Sequence, residues 1–220
     1  MVRAQKAAKP RYHHGDLKVA LIEAATRIVS EKRVEGFTVA DAARAAGVSS
    51  GAPYRHFADR DDLLDHVAAA GFERLSDATG HAMAQHPAGS IEGLVAGGCA
   101  YIDFSAGNPE LTHLMWGATR PTDGACAARA KGDQCSGIFI ERFKDVLRAH
   151  GLDDMEPHAA SAPLWAMVHG FATLLIGVAE KLPRDRAEIH ASVDMATRAY
   201  FTGLRAMRGL PACEAQAPLG

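Results

Sequence analysis

The side chains best suited to bind another macromolecule follow a predicted glycine turn near residue 47. Arg55 offers the forked donor that reads guanine in a DNA major groove, whereas Tyr54 and His56 carry single donors that suit phosphate oxygens. Gly51 and Ala52 leave the neighbouring backbone almost bare, so that it can approach base edges or phosphates. This set of residues is compatible with a DNA-binding helix, and also with an ordinary helical corner in an all-α protein.

The first of two short predicted helices leads into this region. It runs from Thr38, whose hydroxyl can cap it, to Ala46. Gly47 can then adopt the left-handed conformation that commonly ends a helix.

The second predicted helix carries the candidate DNA-contacting residues. We expect Ser49 or Ser50 to cap it and Phe57 to end it. Pro53 then falls in the first turn, where its missing N–H costs no hydrogen bond. Two short helices joined by a tight glycine turn are typical of a helix-turn-helix unit, whose second helix enters a DNA major groove.

Three segments resemble the TetR family of transcriptional regulators. They are YHHGDL at 12–17, EGFTVADAARAAGVSSGAPYRHFADRDDLL at 35–64 and LWAMVHGFATLLIG at 164–177. The third is similar to the branch of the family with a C-terminal Trp-x-x-x-His-Gly motif, here Trp165, His169 and Gly170. Residues 80–160 match the family only in helical character.

The resemblance implies an all-α fold of about nine helices, with an N-terminal three-helix DNA-binding domain and a C-terminal helical domain for ligand binding and dimerisation. We divide the chain into a basic flexible arm, the helix-turn-helix domain, the effector-binding and dimerisation domain and a tail, at 1–14, 15–62, 63–210 and 211–220. The arm is interpreted either as a DNA contact or as a solvated tail, since the sequence favours neither.

Charge is distributed unevenly along the 220 residues. Residues 1–60 carry 11 Lys and Arg against 6 Asp and Glu, a net charge of +5, and the remaining residues carry 13 against 20, a net charge of −7. A basic head on an acidic body suits a protein that touches a polyanion at one end. No uninterrupted apolar run approaches a membrane span, and the N-terminus lacks a signal-peptide block, so the sequence predicts a cytoplasmic protein with no membrane partner.

Metal, cofactor and catalytic functions are not indicated. Cys99, Cys126, Cys135 and Cys213 have no metal-ligand spacing, so we interpret them as reduced thiols and predict neither a metal nor a cofactor. The sequence also lacks a nucleophile elbow and a phosphate-binding glycine loop, which argues against an enzyme.

Together with these patterns, the resemblance implies a homodimeric repressor that binds a pseudo-palindromic double-stranded operator and is released by an unidentified small-molecule effector. Base-edge contacts are assigned to Ser50, Gly51, Ala52 and Arg55, and DNA-backbone contacts to Thr38, Ser49, Tyr54, His56 and Arg60, the last from the resemblance. The resemblance also implies pairing of helices at about 157–181 and 184–208 between two subunits. An alternative keeps DNA binding but replaces the ligand with cysteine oxidation, or with constitutive binding.

The effector pocket is the least determined part of the prediction. Our candidates for its lining are Tyr101, Phe104, Trp116, Trp165 and His169. Packing in an ordinary helical core explains the same residues, because large aromatic side chains are commonly buried.

Overall fold

The computed structural model describes residues 14–117, 126–177 and 185–211. All secondary structure in these ranges is helical, with eight α-helices and one 3₁₀ turn, which confirms the all-α prediction. The basic arm, apart from His14, lies outside the described residues, as do Cys213 and the rest of the tail beyond Pro211. The described residues form two compact units, divided along the chain between Val67 and Ala68.

The first unit contains helices α1 (His14–Lys32) and α2 (Val39–Ala45), the 3₁₀ turn (Pro53–Arg55) and the start of α3 (Arg60–Ala84). Apolar residues at helical spacing along α1 pack against this framework. The buried side chains of the unit include Leu21, Ala24, Ala25, Ile28, Val29, Phe37, Val39, Ala42, Ala43, Phe57, Leu63 and Leu64.

Side-chain caps fix the starts of α2 and α3, and a left-handed glycine follows the end of α2. The backbone N–H of Asp41 donates to the Thr38 hydroxyl at 3.1 Å, and that hydroxyl donates to the Asp41 carboxylate at 2.7 Å. Gly47 has a φ of 71°, the left-handed value that its position after α2 predicted. Asp59 accepts from the backbone N–H of Asp62 at 2.8 Å and so caps α3.

The region after Gly47 differs from the prediction. The expected helix from Ser49 or Ser50 to Phe57 forms only the three-residue 3₁₀ turn, and no side chain caps that turn. The Ser49 carbonyl accepts from the N–H of Ala52 at 3.0 Å instead. Pro53 cannot donate a backbone hydrogen bond to continue a helix, and Gly51 before it is a weak helix former, so a full α-helix does not develop here.

The second unit contains the rest of α3 and five further helices. These are α4 (Ile91–Gly107), α5 (Pro109–Trp116), α6 (Ala127–Ala149), α7 (Pro157–Gly177) and α8 (Arg186–Met207). Helix α4 packs against both α7 and α8. A continuous core joins α4, α6, α7 and α8 through Ile91, Leu94, Phe143, Val146, Leu147, Leu152, Ala160, Leu164 and Phe201.

Helix α7 is unusually apolar for its exposure. An 18-residue window in Pro157–Gly177 has a mean hydropathy of 1.5, although only 22% of that window is buried. By length and composition alone, this helix is long and apolar enough to cross a membrane. It is the one such helix in the described part of the chain. The core of the unit therefore leaves an apolar face of α7 uncovered.

Candidate DNA-binding surface and effector cavity

The 3₁₀ turn presents two of the predicted DNA-contacting side chains to solvent. Tyr54 is 59% exposed, and Arg55, beside it on the turn, is exposed as well. Ser49, Ser50 and Gly51, on the approach to the turn, are also exposed. Ala52 and His56 are half-buried and lie partly beneath this surface, with the His56 ring 6.4 Å from that of Phe57.

Arg60 is already engaged within the first unit. Its guanidinium donates to the backbone carbonyls of Val34 at 2.5 Å and Phe37 at 3.2 Å, and to the Asp61 carboxylate at 3.2 Å. It also lies over the Phe37 ring, with its central carbon 5.9 Å from the ring centroid. Arg60 thus ties the start of α3 to the connection between α1 and α2, a role that its sequence position did not reveal.

Thr38, the other predicted backbone contact outside the turn, is exposed but has a structural role. Its hydroxyl both accepts and donates in the cap with Asp41. The Asp41 carboxylate in turn accepts from Arg44 at 3.0 Å. The predicted contacts of Thr38 and Arg60 with DNA remain predictions, and each would require a side chain that now serves the fold.

A partly open cavity of about 110 Å³ lies in the second unit, and its lining residues Trp116 and Trp165 are 39% and 44% exposed. Each of the helices α3 to α8 contributes to its wall. The lining residues are Phe72, Leu75, Thr79 and Met83 of α3; Leu94, Gly97, Gly98 and Tyr101 of α4; Trp116 of α5; Gly132, Cys135, Ser136 and Phe139 of α6; Leu164, Trp165 and Val168 of α7; and Val193 and Thr197 of α8.

Four aromatic side chains form a cluster at this cavity. Tyr101, Trp116 and Trp165 line it, and His169 contacts all three rings without lining the cavity itself. The His169 ring stacks on Trp165 at 5.1 Å and nearly parallel, and meets the edge of Trp116 at the same distance. The phenol oxygen of Tyr101 lies 2.8 Å from Nδ1 of His169. Four of the five predicted pocket residues are therefore brought together.

Burial keeps the polar pair in this cluster uncharged. It raises the pKa of the Tyr101 phenol well above its usual value, and it lowers the pKa of the His169 imidazole. A neutral phenol is a donor and a neutral imidazole nitrogen can accept, so the consistent arrangement has Tyr101 donating to His169.

Two of the five predicted pocket residues, Phe104 and His169, are not among those lining the cavity, and only Phe104 lies outside the aromatic cluster. The Arg74 guanidinium lies over its ring at 5.7 Å. Sequence analysis also missed the four lining residues of α3. Their spacing of three and four residues, at 72, 75, 79 and 83, places them on one helical face, but the sequence cannot distinguish a face that lines a cavity from one in a filled core.

Close packing explains why glycines adjoin this cavity. A Cβ on Gly97 would lie 2.7 Å from Met83, and one on Gly98 would lie 3.1 Å from Val168. A Cβ on Gly132 would lie 3.4 Å from the Phe72 ring, which is an ordinary contact. The costly glycine pair within α4 therefore permits close neighbours and leaves space beside them.

The three cysteines in the described ranges are thiols and form no disulfide. Burial raises the pKa of Cys99 to about 11 and that of Cys135 above its usual value, so both thiols are protonated at neutral pH. Within the described ranges, no group of three His, Cys, Asp or Glu side chains is arranged to hold a metal ion.

Comparison with known proteins identifies both parts of the chain. Residues 21–67 match the family described as bacterial regulatory proteins of the tetR family, and residues 94–200 match the tetracyclin repressor-like C-terminal domain. No curated protein matched the sequence.

Solved structures share this fold along most of the chain. A protein with unknown function from Rhodococcus sp. RHA1 is 28% identical, with 93% of this chain and 100% of that one covered and a TM-score of 0.74. The transcriptional regulator FadR from Bacillus subtilis, solved in complex with stearoyl-CoA, is 16% identical, with 81% and 96% covered and a TM-score of 0.62. The TetR-family regulator PfmR from Thermus thermophilus is 19% identical, with 85% and 96% covered and a TM-score of 0.56. With its helix-turn-helix head and helical ligand-binding body, this chain belongs to the TetR family of transcriptional regulators.

Proposed function

We propose that this regulator is a cytoplasmic homodimeric repressor, which binds a pseudo-palindromic operator and leaves it when a small molecule occupies the cavity of the second unit. The observation that carries the proposal is the extent of α3, which begins in the first unit and continues into the second. This helix begins with Arg60 in the head and presents Phe72, Leu75, Thr79 and Met83 to the cavity. A ligand in the cavity therefore touches the same helix that anchors the DNA-binding unit.

Release requires that the effector bind more tightly to a state in which α3 is displaced. In the present arrangement, α3 is held by specific neighbours in the second unit. The Arg142 guanidinium donates to the carbonyls of Met83 at 2.7 Å and His86 at 2.8 Å, at the C-terminal end of α3. Because Met83 also lines the cavity, a ligand that pushes against it acts at the point where α3 is fixed.

The uncovered faces of α7 and α8 support the proposed dimer. Leu174 on α7 is 44% exposed and Met195 on α8 is 67% exposed. Pairing these helices with those of a second copy would bury the apolar surface that the single chain leaves in water. Two-fold symmetry would then set two DNA-binding surfaces about 34–36 Å apart, one turn of the duplex.

The alternative of a cysteine-oxidation switch receives no support from Cys99 and Cys135. Oxidation proceeds through the thiolate, and burial holds the Cys99 and Cys135 thiols in the protonated form. Release of DNA by peroxide that is lost on Cys→Ser substitution would nevertheless establish it over a ligand switch.

The proposal is tested with the purified chain and a labelled DNA fragment from upstream of its own gene. We expect a dimer at micromolar concentration, and binding that weakens steeply with salt because phosphate contacts release counterions. A small-molecule screen for release of the same fragment tests the effector step. A monomeric protein, or one without affinity for the fragment in low-salt buffer, would overturn the proposal.

A further inference from the structure

We propose that the effector cavity selects an uncharged, largely apolar molecule of about one or two rings, and that it discriminates against carboxylates and acyl-CoA thioesters. This inference deepens the proposed function and rests on it for the assignment of the cavity as the effector site. Ligand binding itself can be measured without DNA, so the two statements can fail separately.

The cavity wall carries no formally charged side chain among the described residues, since none of those that line it is Asp, Glu, Lys or Arg. His169, which stacks on the lining residue Trp165, supplies no cation at neutral pH either, because burial lowers the pKa of its imidazole. A carboxylate that entered this partly open space would lose part of its hydration without gaining a cation, which is unfavourable. The wall therefore favours a neutral ligand.

Three of the hydroxyl groups on the wall, those of Tyr101, Thr79 and Thr197, already have hydrogen-bond partners. The Tyr101 hydroxyl is paired with His169 at 2.8 Å. Thr79 donates to the Leu75 carbonyl at 2.9 Å, and Thr197 donates to the Val193 carbonyl at 2.7 Å. A ligand rich in hydrogen-bonding groups would have to break these bonds or leave its own groups unsatisfied. An apolar ligand requires neither change.

The size and shape of the cavity suit a small aromatic molecule. The cavity volume of about 110 Å³ is close to that of an apolar protein cavity of ~150 Å³ that takes benzene. Aromatic rings contribute much of the wall, including Phe72, Trp116 and Phe139, and such rings prefer edge-to-face or offset contact with another ring. The flexible Met83 side chain can adjust to the ligand. A molecule of one ring, or of two fused rings after adjustment, matches this space.

The chain offers a direct reporter of cavity occupancy. It contains two tryptophans, Trp116 and Trp165, and both line the cavity. We would titrate the full-length protein with toluene, with benzoate as the anionic counterpart of similar ring size, and with octanoyl-CoA, and follow tryptophan emission with calorimetry as a second measurement. We expect saturable binding of toluene and at least tenfold weaker binding of benzoate and octanoyl-CoA.

Two glycines of α6 give matched variants. In Gly132→Ala the new methyl group contacts Phe72 and takes volume from the cavity, whereas in Gly137→Ala the methyl group has no neighbour within 4 Å and lies outside the cavity wall. Both changes favour the helix by a similar amount, so both proteins should fold. We expect Gly132→Ala to weaken toluene binding at least threefold and Gly137→Ala to leave it unchanged.

The outcomes separate the inference from the proposed function. Benzoate or octanoyl-CoA binding as tightly as toluene, or equal toluene affinity in the two glycine variants, would overturn the inference. Toluene that binds as expected but leaves operator affinity unchanged would support the ligand class and count against the ligand switch. Operator release by an anionic compound that competes with toluene would support the ligand switch and count against the proposed ligand class.

Discussion

Tyr101 and His169 are joined by a 2.8 Å hydrogen bond that links α4 to α7 beside the cavity. Burial disfavours the charged form of both groups, so the phenol donates and the imidazole accepts. In Tyr101→Phe, His169 loses this donor and the cavity wall loses a fixed contact. We expect the free energy of unfolding of the second unit to fall by about 0.5–1.5 kcal/mol. Urea denaturation followed by tryptophan emission measures it, because both tryptophans lie in this unit.

Tyr200→Phe is the matched control for that experiment. The Tyr200 hydroxyl donates to the Ala160 carbonyl at 2.6 Å, and Tyr200 is not among the residues that line the cavity. Both variants should lose a similar amount of stability, but only Tyr101→Phe should change toluene affinity. Equal effects of the two variants on ligand binding would contradict the role of the Tyr101–His169 pair in shaping the cavity.

Stability of the second unit should decrease as the pH falls below the ordinary histidine pKa of about 6.5. Burial lowers the pKa of His169, and burial together with the Arg205 cation lowers that of His150. In mildly acidic solution the unfolded chain therefore binds protons that the folded chain does not, and the free energy of unfolding rises with pH across this range. The stabilisation is complete above the unfolded-state pKa and is lost progressively below it.

Urea denaturation at pH 7.5, 6.5 and 5.5 measures this dependence. The acids with lowered pKa values, such as Glu92, titrate below this range and do not obscure it. Replacing His150 and His169 together by Phe should flatten the profile. A double variant with the same pH slope as the parent would show that neither imidazole is responsible.

Arg60 should stabilise the head even in the absence of DNA. Arg60→Lys keeps the positive charge but cannot reach the Val34 and Phe37 carbonyls together with the forked geometry of a guanidinium. We expect the first unit to lose about 1–3 kcal/mol of stability. Amide hydrogen exchange in α1 and α2 measures it for this unit alone, with Arg44→Lys at an exposed ion pair as the control. Unchanged exchange in Arg60→Lys would leave phosphate contact as the remaining explanation for this residue.

Local features of the fold were readable from the sequence because their interactions span only a few residues. Thr38, Asp59 and Ser90 each cap a helix through the backbone N–H group three residues ahead, so residue type and spacing are sufficient to predict them. The same reasoning overestimated the helix after Ser49. Proline is tolerated in the first turn of a helix, so the sequence allowed one here. Pro53 nevertheless lacks the N–H that would continue a helix, and only a 3₁₀ turn forms.

Non-local features could not be read in this way. The engagement of Arg60 with carbonyls more than twenty residues earlier depends on tertiary packing that spacing does not encode. The pocket candidates show the same limit. Tyr101, Trp116 and Trp165 line the cavity, but so does an unpredicted face of α3, whereas Phe104 lies against Arg74. Residue type suggested which side chains are able to bind a ring, and only the three-dimensional arrangement showed which of them share a wall.

The exposed face of α7 provides a test of the dimer. Leu174→Glu places a charge on the apolar surface that we propose a second copy covers, where it would be buried without a partner. We expect this variant to elute as a monomer in size-exclusion chromatography with light scattering, and to lose operator affinity. Ile138→Glu is the control, because Ile138 on α6 is 43% exposed and lies outside the proposed interface. Equal dimer content in both variants would place the interface elsewhere.

Arg55 should determine which base pair is preferred at one position of each operator half-site. It is exposed on the 3₁₀ turn, and its guanidinium can donate two hydrogen bonds to the major-groove edge of guanine. Arg55→Ala should weaken the free energy of binding to the preferred operator by about 1–3 kcal/mol, and by less for operators already altered at that base pair. The variant should therefore no longer discriminate between base pairs at that position. Arg44→Ala removes the same charge from an exposed site on α2, and should weaken binding to all operator variants by a similar, smaller factor. Anisotropy titrations of both variants against operators changed one base pair at a time distinguish these outcomes. A uniform loss across all operators for Arg55→Ala would assign this side chain to the phosphate backbone, and base recognition would then have to come from its neighbours.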